Sequence, residues 1–174
     1  MKTLSLKHLS SDAGIFVRQG KDGSLVIAII YVDDALFAGP DKKLVDSLKG
    51  KFMSHWECRD LSEAKEFLCM RITRHGKKIY IDQCTYLDKV LKHCSMENAK
   101  MADTPLPAGF QPESTKGQLN STLHSKFQMV IGSLLYLMLG TRPDISFAVT
   151  KLAQHAANPS QEHLNKALYI CCTS

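Results

Sequence analysis

The chain has 174 residues, which is enough for one ordinary domain or for most of two small ones. Hydrophobic residues make up 44% of it and charged residues 22%, so a packed core is possible, and neither wholesale disorder nor a fibrous class fits. The formal net charge of +5 suits a polyanionic partner, but many basic proteins bind no nucleic acid.

Cysteine spacing and hydropathy exclude further classes. None of the six cysteines forms a Cys-x-x-Cys pair, which argues against a zinc ribbon or a secreted disulfide framework and favours reduced thiols. Residues 1–11 lack the apolar core of a signal peptide, and the most apolar stretches, 25–32 and 129–139, are too short to span a bilayer. We therefore expect an intracellular protein without a membrane segment.

The first part of the chain predicts a β-turn-β unit. Residues 14–18 have the pattern of a short strand, and 19–23 that of a turn, because an Asp-Gly pair supplies the positive φ that hairpins need. Leu25–Tyr31 is an unbroken aliphatic run, typical of a strand buried on both faces. Asp33-Asp34 interrupts this run, and an apolar strand resumes over 35–38. Two carboxylates are thus predicted at the tip of a hairpin.

Helices and a second hairpin are predicted next. Asp41 is placed to cap a helix through about residue 52. Two strands, 67–73 and Lys78–Asp82, are joined at a His-Gly turn, and 83–94 has the apolar spacing of a helix. Residues 101–124 carry three prolines and few large apolar side chains, which predicts a linker or surface excursion and the best candidate domain boundary.

Beyond this excursion the pattern is helical. Apolar residues keep helical spacing over 127–138, and the sequence Thr-Arg-Pro-Asp at 141–144 punctuates and restarts the helix, since proline is tolerated in a first turn. A second apolar stripe over 145–156 ends at Asn158-Pro159, and Ser160 is placed to cap a last helix.

The aspartate pair is the constellation that indicates chemistry. Two adjacent aspartates are by default a solvated turn, but strands lead into and out of Asp33 and Asp34, so a rigid sheet holds them. Like charges held together repel unless cations neutralise them, and Mg²⁺ takes hard oxygen ligands while keeping positions open for phosphate oxygens. In a two-metal site one ion activates the attacking hydroxyl and the other stabilises the leaving oxygen. The pattern therefore favours phosphoryl transfer on a nucleotide or polynucleotide.

The hairpin resembles a known family. The run from Leu25 through Tyr-Val-Asp-Asp at 31–34 to Gly39 is similar to the catalytic hairpin of copia-type retrotransposon reverse transcriptases. Further blocks match in the right order, and the most specific are Gly-Ser-Leu-Leu-Tyr at 132–136 and Thr-Arg-Pro-Asp-Ile at 141–145. The others are Phe52-Met53 with Trp56 to Leu68, Ile79 to Leu87, and Thr104-Pro105. The resemblance covers about residues 11–170 and is to the C-terminal part of that enzyme.

The resemblance implies an α+β fold. Residues 1–100 would form a partial palm of antiparallel strands with packed helices, which carries the catalytic hairpin and a primer-positioning hairpin. After the excursion at 101–124, residues 125–174 would form a helical connection region that leads toward a ribonuclease H domain missing from this chain. The implied partners are an RNA template, a DNA primer and deoxynucleotides, and the implied cofactor is Mg²⁺ or Mn²⁺.

The resemblance also implies roles for individual residues. Asp33 would be a catalytic metal ligand, and Asp34 would be its acidic neighbour with a supporting role. Tyr31 and Val32 would line the site near the primer terminus and the incoming nucleotide.

Further residues have two interpretations each. Phe67 and Leu68 would belong to the hairpin that positions the primer, and plain core packing explains them equally well. Basic side chains on the helix over 41–52 could contact phosphates, although a solvated face explains them more simply. These basic residues are Lys42, Lys43, Lys49 and Lys51.

Departures from the family predict an incomplete enzyme. The family carries another metal-binding aspartate well upstream, and neither Asp12 nor Asp22, both expected in loops or turns, lies in a motif like it. Cys69 stands where the family usually has glycine, and we expect a side chain there to crowd its neighbours. Residues 171–174 depart from the helix by which the family continues. We therefore expect a truncated or decayed element that is inactive alone.

Two alternatives to a reverse transcriptase part remain. One is a non-enzymatic fragment that binds nucleic acid or associates with missing polymerase segments, for which the charge of +5 and the apolar strands argue. The other is a small metal-dependent phosphatase or nuclease, which would need a second convergent acidic cluster that the sequence does not show.

Overall fold

The computed structural model describes residues 4–20, 23–107, 109–115 and 118–173. Their contacts divide the chain into two compact units, Met1–Phe67 and Leu68–Ser174. Antiparallel strands and packed helices occur together, which confirms the predicted α+β class. The linker and domain boundary expected at 101–124 stay a prediction.

The first unit is an antiparallel sheet with strand order β1-β2-β3-β4 and a helix that follows it. Its elements are β1 (Lys7–Leu9), β2 (Asp12–Gln19), β3 (Leu25–Tyr31), β4 (Asp34–Ala38), α1 (Lys42–Met53) and β5 (Glu66–Phe67). The bounds of β3 are those predicted. Asp12, expected in a loop, is instead the first residue of β2. The turn predicted at 19–23 includes Lys21 and Asp22, which lie outside the described residues.

One face of this sheet packs against α1. Val26 and Ala28 of β3 are buried with Leu48 of the helix, because alternate residues of a strand point to the same face. Asp41 caps the helix as predicted and accepts a hydrogen bond from the backbone N–H of Lys43 at 2.9 Å. Strand β1 was not predicted, since the isolated leucines of its segment give no periodic signal.

The second unit begins with a hairpin and continues with helices. Its elements are β6 (Met70–His75), β7 (Lys78–Asp82), α2 (Cys84–His93), α3 (Ser121–Gly140), a 3₁₀ turn (Pro143–Ile145), α4 (Ser146–Ala153) and α5 (Gln161–Cys171). The single strand predicted over 67–73 is wrong. Leu68 and Cys69 have φ of 50° and 57° and form a turn, which separates β5 from β6.

The helices of the second unit enclose its core. Fully buried side chains from α3, α4 and α5 meet there, and the predicted stripe of α2 contributes Val90 and Cys94. Helix α3 starts inside the predicted excursion, because the side chain of Asn120 caps it by accepting from the Leu123 N–H at 3.0 Å. Leu106 and Phe110 of the excursion pack partly against this core. No described helix is long and apolar enough to cross a membrane.

The cysteines divide into exposed and buried thiols. All six are free; Cys58, Cys69 and Cys84 are exposed, whereas Cys94 and Cys171 are buried. Burial, together with the neighbouring thiol of Cys94, raises the pKa of Cys171 to about 12. A thiol with such a pKa is inert near neutral pH, which fits the predicted structural role.

Candidate active site

The hairpin of β3 and β4 places both aspartates at its tip. Tyr31 pairs with Asp34 across the two strands, so Val32 and Asp33 form a two-residue loop. Tyr31 and Asp34 stand opposite each other and share one face of the sheet. Asp34, expected in an interruption between two strands, is instead the first residue of β4. The structure therefore brings all four predicted residues of this motif together.

The backbone bend of the tip falls on Val32. Its φ is 52°, in the left-handed region, and Asp33 does not share this conformation. Positive φ at the first central residue alone is the type II′ pattern, which favours glycine there. A β-branched residue in this conformation is an outlier, and such strain tends to persist at functional sites.

The tip is open to solvent. Tyr31 is 59% exposed and Val32 is 82% exposed, and both aspartates are exposed as well. Adjacent carboxylates offer the hard oxygen ligands that Mg²⁺ and Mn²⁺ prefer, and an open tip leaves room for phosphate oxygens. Among the described residues, however, no group of three or more His, Cys, Asp or Glu side chains is arranged to hold a metal ion.

The predicted primer-positioning residues Phe67 and Leu68 lie where β5 passes into a turn. Phe67 ends β5 and is half-buried, and Leu68 is half-buried within the turn. Cys69 is exposed, so the crowding expected at this position is wrong. Its φ of 57° lies in the left-handed region, which glycine adopts without strain, so the backbone conformation is a physical reason for the glycine expected at this position.

Half of the lysines on the predicted basic face of α1 form ion pairs. Lys42 lies 3.1 Å from Asp46, and Lys49 lies 3.0 Å from Asp60. The hydrogen bond from Lys49 lowers the pKa of the Asp60 carboxyl below its usual value. Two of the four lysines are therefore already partnered, which favours the interpretation as a solvated face.

Comparison with known proteins gives the family. The sequence model described as Reverse transcriptase (RNA-dependent DNA polymerase) matches residues 1–108. The chain belongs to the reverse transcriptase family. The resemblance inferred from the motifs is thereby confirmed.

Several relatives are described as transposon proteins. The chain is 34% identical to a retrovirus-related Pol polyprotein from transposon TNT 1-94 of Nicotiana tabacum, over 98% of the chain and 13% of that protein. It is 31% identical to the corresponding polyprotein from transposon RE1 of Arabidopsis thaliana, over 93% of the chain and 11% of that protein. A putative transposon Ty5-1 protein of Saccharomyces cerevisiae is 28% identical over 96% of the chain and 54% of its own length. No solved structure matches the chain.

The downstream motifs of this reverse transcriptase segment have structural partners. Arg142 donates to both carboxylate oxygens of Asp144, at 2.9 and 2.7 Å, and to the carbonyl of Thr173 at 3.0 Å. The hydrogen bond from Arg142 lowers the pKa of Asp144 below its usual value. The Thr-Arg-Pro-Asp motif thus joins the start of α4 to the residues that follow α5.

Tyr136 and Gln83 make long-range contacts that sequence reasoning did not predict. The hydroxyl of Tyr136 donates to the carbonyl of Leu68, and the Gln83 side chain, 3% exposed, bonds to Thr141. Tyr136 and Thr141 lie within the family motifs, but the motifs gave no reason to pair them with Leu68 and Gln83. A buried glutamine requires partners, which is the one signal that could have pointed to this network.

Proposed function

We propose that this chain supplies the metal-binding hairpin and the primer-positioning turn of an RNA-directed DNA polymerase, and that it is inactive alone. The observation that carries the proposal is the tip of the β3–β4 hairpin. Two adjacent carboxylates follow a strained, exposed residue on a rigid sheet, in a chain of the reverse transcriptase family. The chain spans 13% and 11% of the lengths of two long polyproteins among those that it matches.

Asp33 and Asp34 fit a divalent cation through their chemistry. Their oxygens suit Mg²⁺ or Mn²⁺, with Asp33 as the principal ligand and Asp34 in support. When bound, the metal supplies activation of the primer hydroxyl and neutralisation of phosphate charge. Two adjacent carboxylates are fewer than a two-metal site uses, so a complete site needs protein ligands besides Asp33 and Asp34.

The other predicted residues face the substrates in this proposal. Tyr31 and Val32 contact the primer terminus and the incoming deoxynucleotide, for which their exposure at the tip leaves room. Phe67 and Leu68 position the primer strand that is paired with the RNA template. Their half-burial is equally that of packed side chains, so their role depends on the nucleic-acid experiments below.

Metal binding is tested with Mn²⁺ as a paramagnetic probe. We expect Mn²⁺ to broaden the NMR amide signals of residues 31–34 and Asp33→Asn to abolish this effect. Asp103→Asn is the matched control, because it removes the same charge at an exposed position outside the hairpin. Unchanged broadening in Asp33→Asn, or none in the unaltered chain, would contradict the assignment.

Catalytic incompleteness is tested by primer extension. With a DNA primer on an RNA template and either Mg²⁺ or Mn²⁺, we expect no extension by the chain alone. Extension that Asp33→Asn abolishes and Asp103→Asn retains would show that the chain is a complete enzyme, and the proposal of inactivity would be wrong.

A second candidate function is binding without catalysis. Ile15, Ile27, Ile29 and Leu36 occupy the sheet face opposite α1 through the pairs Ile15–Ile29 and Ile29–Leu36, and they belong to neither buried cluster. Such an apolar face, with a net charge of +5, suits association with other polymerase segments or with nucleic acid. Filter binding at low salt tests the nucleic-acid version, which undetectable affinity would remove.

A further inference from the structure

The hydroxyl of Tyr136 donates a hydrogen bond to the carbonyl oxygen of Leu68. Tyr136 lies in α3, and its ring packs edge to face against Tyr86 of α2, with ring centroids 4.9 Å apart and an interplanar angle of 66°. This aromatic contact holds the ring from the side, in the orientation that directs the hydroxyl at the Leu68 carbonyl.

The turn that receives this bond is unfavourable by itself. Leu68 and Cys69 both have positive φ, the requirement of a type I′ turn, which natural hairpins meet with Asn-Gly or Gly-Gly. Left-handed conformations cost residues with a Cβ roughly 1–2 kcal/mol each. The turn therefore depends on interactions from outside it, and Tyr136 supplies one.

A second set of hydrogen bonds joins the C-terminal end of α3 to Gln83. Thr141 Oγ1 donates to Gln83 Oε1 at 2.8 Å, and Gln83 Nε2 donates to the carbonyl of Tyr136 at 3.4 Å. Gln83 directly follows β7, so the end of this hairpin and the helix that carries Tyr136 are joined. The position of the tyrosine hydroxyl is consequently set both by its ring and by its backbone.

We infer that Tyr136 is a positioning residue: its hydroxyl holds the Leu68–Cys69 turn in the conformation that presents Leu68 to the primer strand. The turn-holding part stands on the contacts above, and the primer part rests on the proposed function. The residue acts through the backbone of Leu68 and touches no substrate itself. We therefore expect the residue to affect the placement of the primer end and not the affinity for nucleic acid.

The turn-holding part is tested without nucleic acid. Tyr136→Phe removes the hydroxyl and keeps the ring, and we expect amide hydrogen exchange at residues 68–70 to accelerate about fivefold, as for the loss of one hydrogen bond. Tyr86→Phe is the matched control, because it alters the packed partner ring and leaves the Tyr136 hydroxyl in place. Equal exchange in Tyr136→Phe and the unaltered chain would overturn the inference, as would acceleration spread evenly over the whole chain.

The primer part is tested by a disulfide cross-link. Cys58→Ser and Cys84→Ser leave Cys69 as the exposed thiol, and a primer–template duplex with a thiol activated as a mixed disulfide at its 3′ end is the probe. The Cys69 thiolate attacks the primer's sulfur in the mixed disulfide, which forms the protein–primer disulfide and releases the activating group as a thiol. We expect Tyr136→Phe to lower the cross-link yield severalfold at unchanged binding affinity, and Cys69→Ser to abolish it.

The outcomes separate the two proposals. Binding that is absent in the unaltered chain contradicts the nucleic-acid function, while a local change in hydrogen exchange still supports the turn-holding role. Binding with a cross-link that Tyr136→Phe does not lower overturns the positioning role and leaves the proposed function intact. A yield that falls in step with affinity also overturns it, because loss of binding then explains the result.

Discussion

Gly140 lies against the side-chain amide of Gln83, and a Cβ at this glycine would clash with Oε1. Gln83 is 3% exposed and is held by hydrogen bonds to Thr141 and to the backbone of Tyr136, so its amide cannot move without losing them. The absence of a side chain at Gly140 therefore permits the link between α3 and the β6–β7 hairpin. Gly140 therefore has no room for a side chain, whereas Gly132 of the same helix has room for one.

We expect Gly140→Ala to lower the free energy of unfolding by about 1–3 kcal/mol, because the new methyl displaces the Gln83 amide. Gly132→Ala is the control in the same helix. Nothing lies within 4 Å of a Cβ at Gly132, so alanine there should raise stability by up to about 1 kcal/mol through helix propensity. Urea denaturation of both variants measures the difference, and effects of equal sign would contradict this explanation.

The turn at Leu68–Cys69 predicts a stabilising substitution. Cys69→Gly removes the left-handed strain at an exposed position, and the greater freedom of glycine in the unfolded chain offsets part of the gain. We expect a net increase of about 0.5–1 kcal/mol in unfolding free energy. Cys84→Gly, in the first turn of α2, should instead destabilise the chain. A destabilising Cys69→Gly would show that the thiol makes a contact that strain relief does not outweigh.

His163 predicts a pH dependence of stability. It is 1% exposed, and its Nδ1 accepts the N–H of Ser160 at 3.0 Å. Burial, and then the neighbouring charge of His155, lower the pKa of His163 below its ordinary value of 6.5. Its contribution to stability is thus fully present above 6.5 and is lost as the pH falls from there through the native pKa, because the unfolded state takes up the proton first.

The measurement compares unfolding free energies at several pH values between 7.5 and 5 in the unaltered chain and in His163→Gln. We expect the unaltered chain to lose more stability over this interval than the variant, whose amide does not titrate. Identical pH profiles would mean that His163 does not cause the dependence. His155→Gln separates the burial effect from the charge effect, since removal of the neighbouring imidazole leaves His163 buried.

We expect that lysine cannot replace Arg142 in its contacts with Asp144 and Thr173. Its guanidinium bonds Asp144 through two nitrogens and also reaches the Thr173 carbonyl, whereas an ammonium lacks this planar fork. We expect Arg142→Lys to cost about 1–2 kcal/mol of unfolding free energy. A double-mutant cycle with Asp144→Asn should give a coupling of about 1 kcal/mol, since Asp144 is half-exposed and water screens the pair. A coupling of zero would assign the loss to Thr173 alone.

Local signals in the sequence predicted the parts of the fold that local forces determine. The strand Leu25–Tyr31 and the helix capped by Asp41 were predicted because an aliphatic run and a capping carboxylate act within a few residues. The turn at Leu68–Cys69 was not, since neither residue type prefers positive φ.

The candidate site likewise combines a feature that the local sequence determines with contacts that it does not. The aspartate pair at the tip of the hairpin was predicted from the strands that flank it, whereas its supporting contacts were not. Tyr136 and Leu68 are 68 residues apart in the chain, and no local pattern joins them. The Thr-Arg-Pro-Asp motif indicates the family, but its sequence does not predict that Arg142 reaches Thr173.

The hydrogen bond from Tyr136 to Leu68 also sets an order of events during synthesis. Leu68 leaves the ribosome well before Tyr136, so the Leu68–Cys69 turn is made before the hydroxyl that holds it exists in the chain. Strands β6 and β7 can pair from local contacts alone, but the Leu68–Cys69 turn that precedes β6 reaches its final conformation only when α3 has folded and docked. Translation that pauses after β7 has emerged and before Tyr136 has emerged would therefore leave β6 and β7 paired and the Leu68–Cys69 turn without its hydrogen bond.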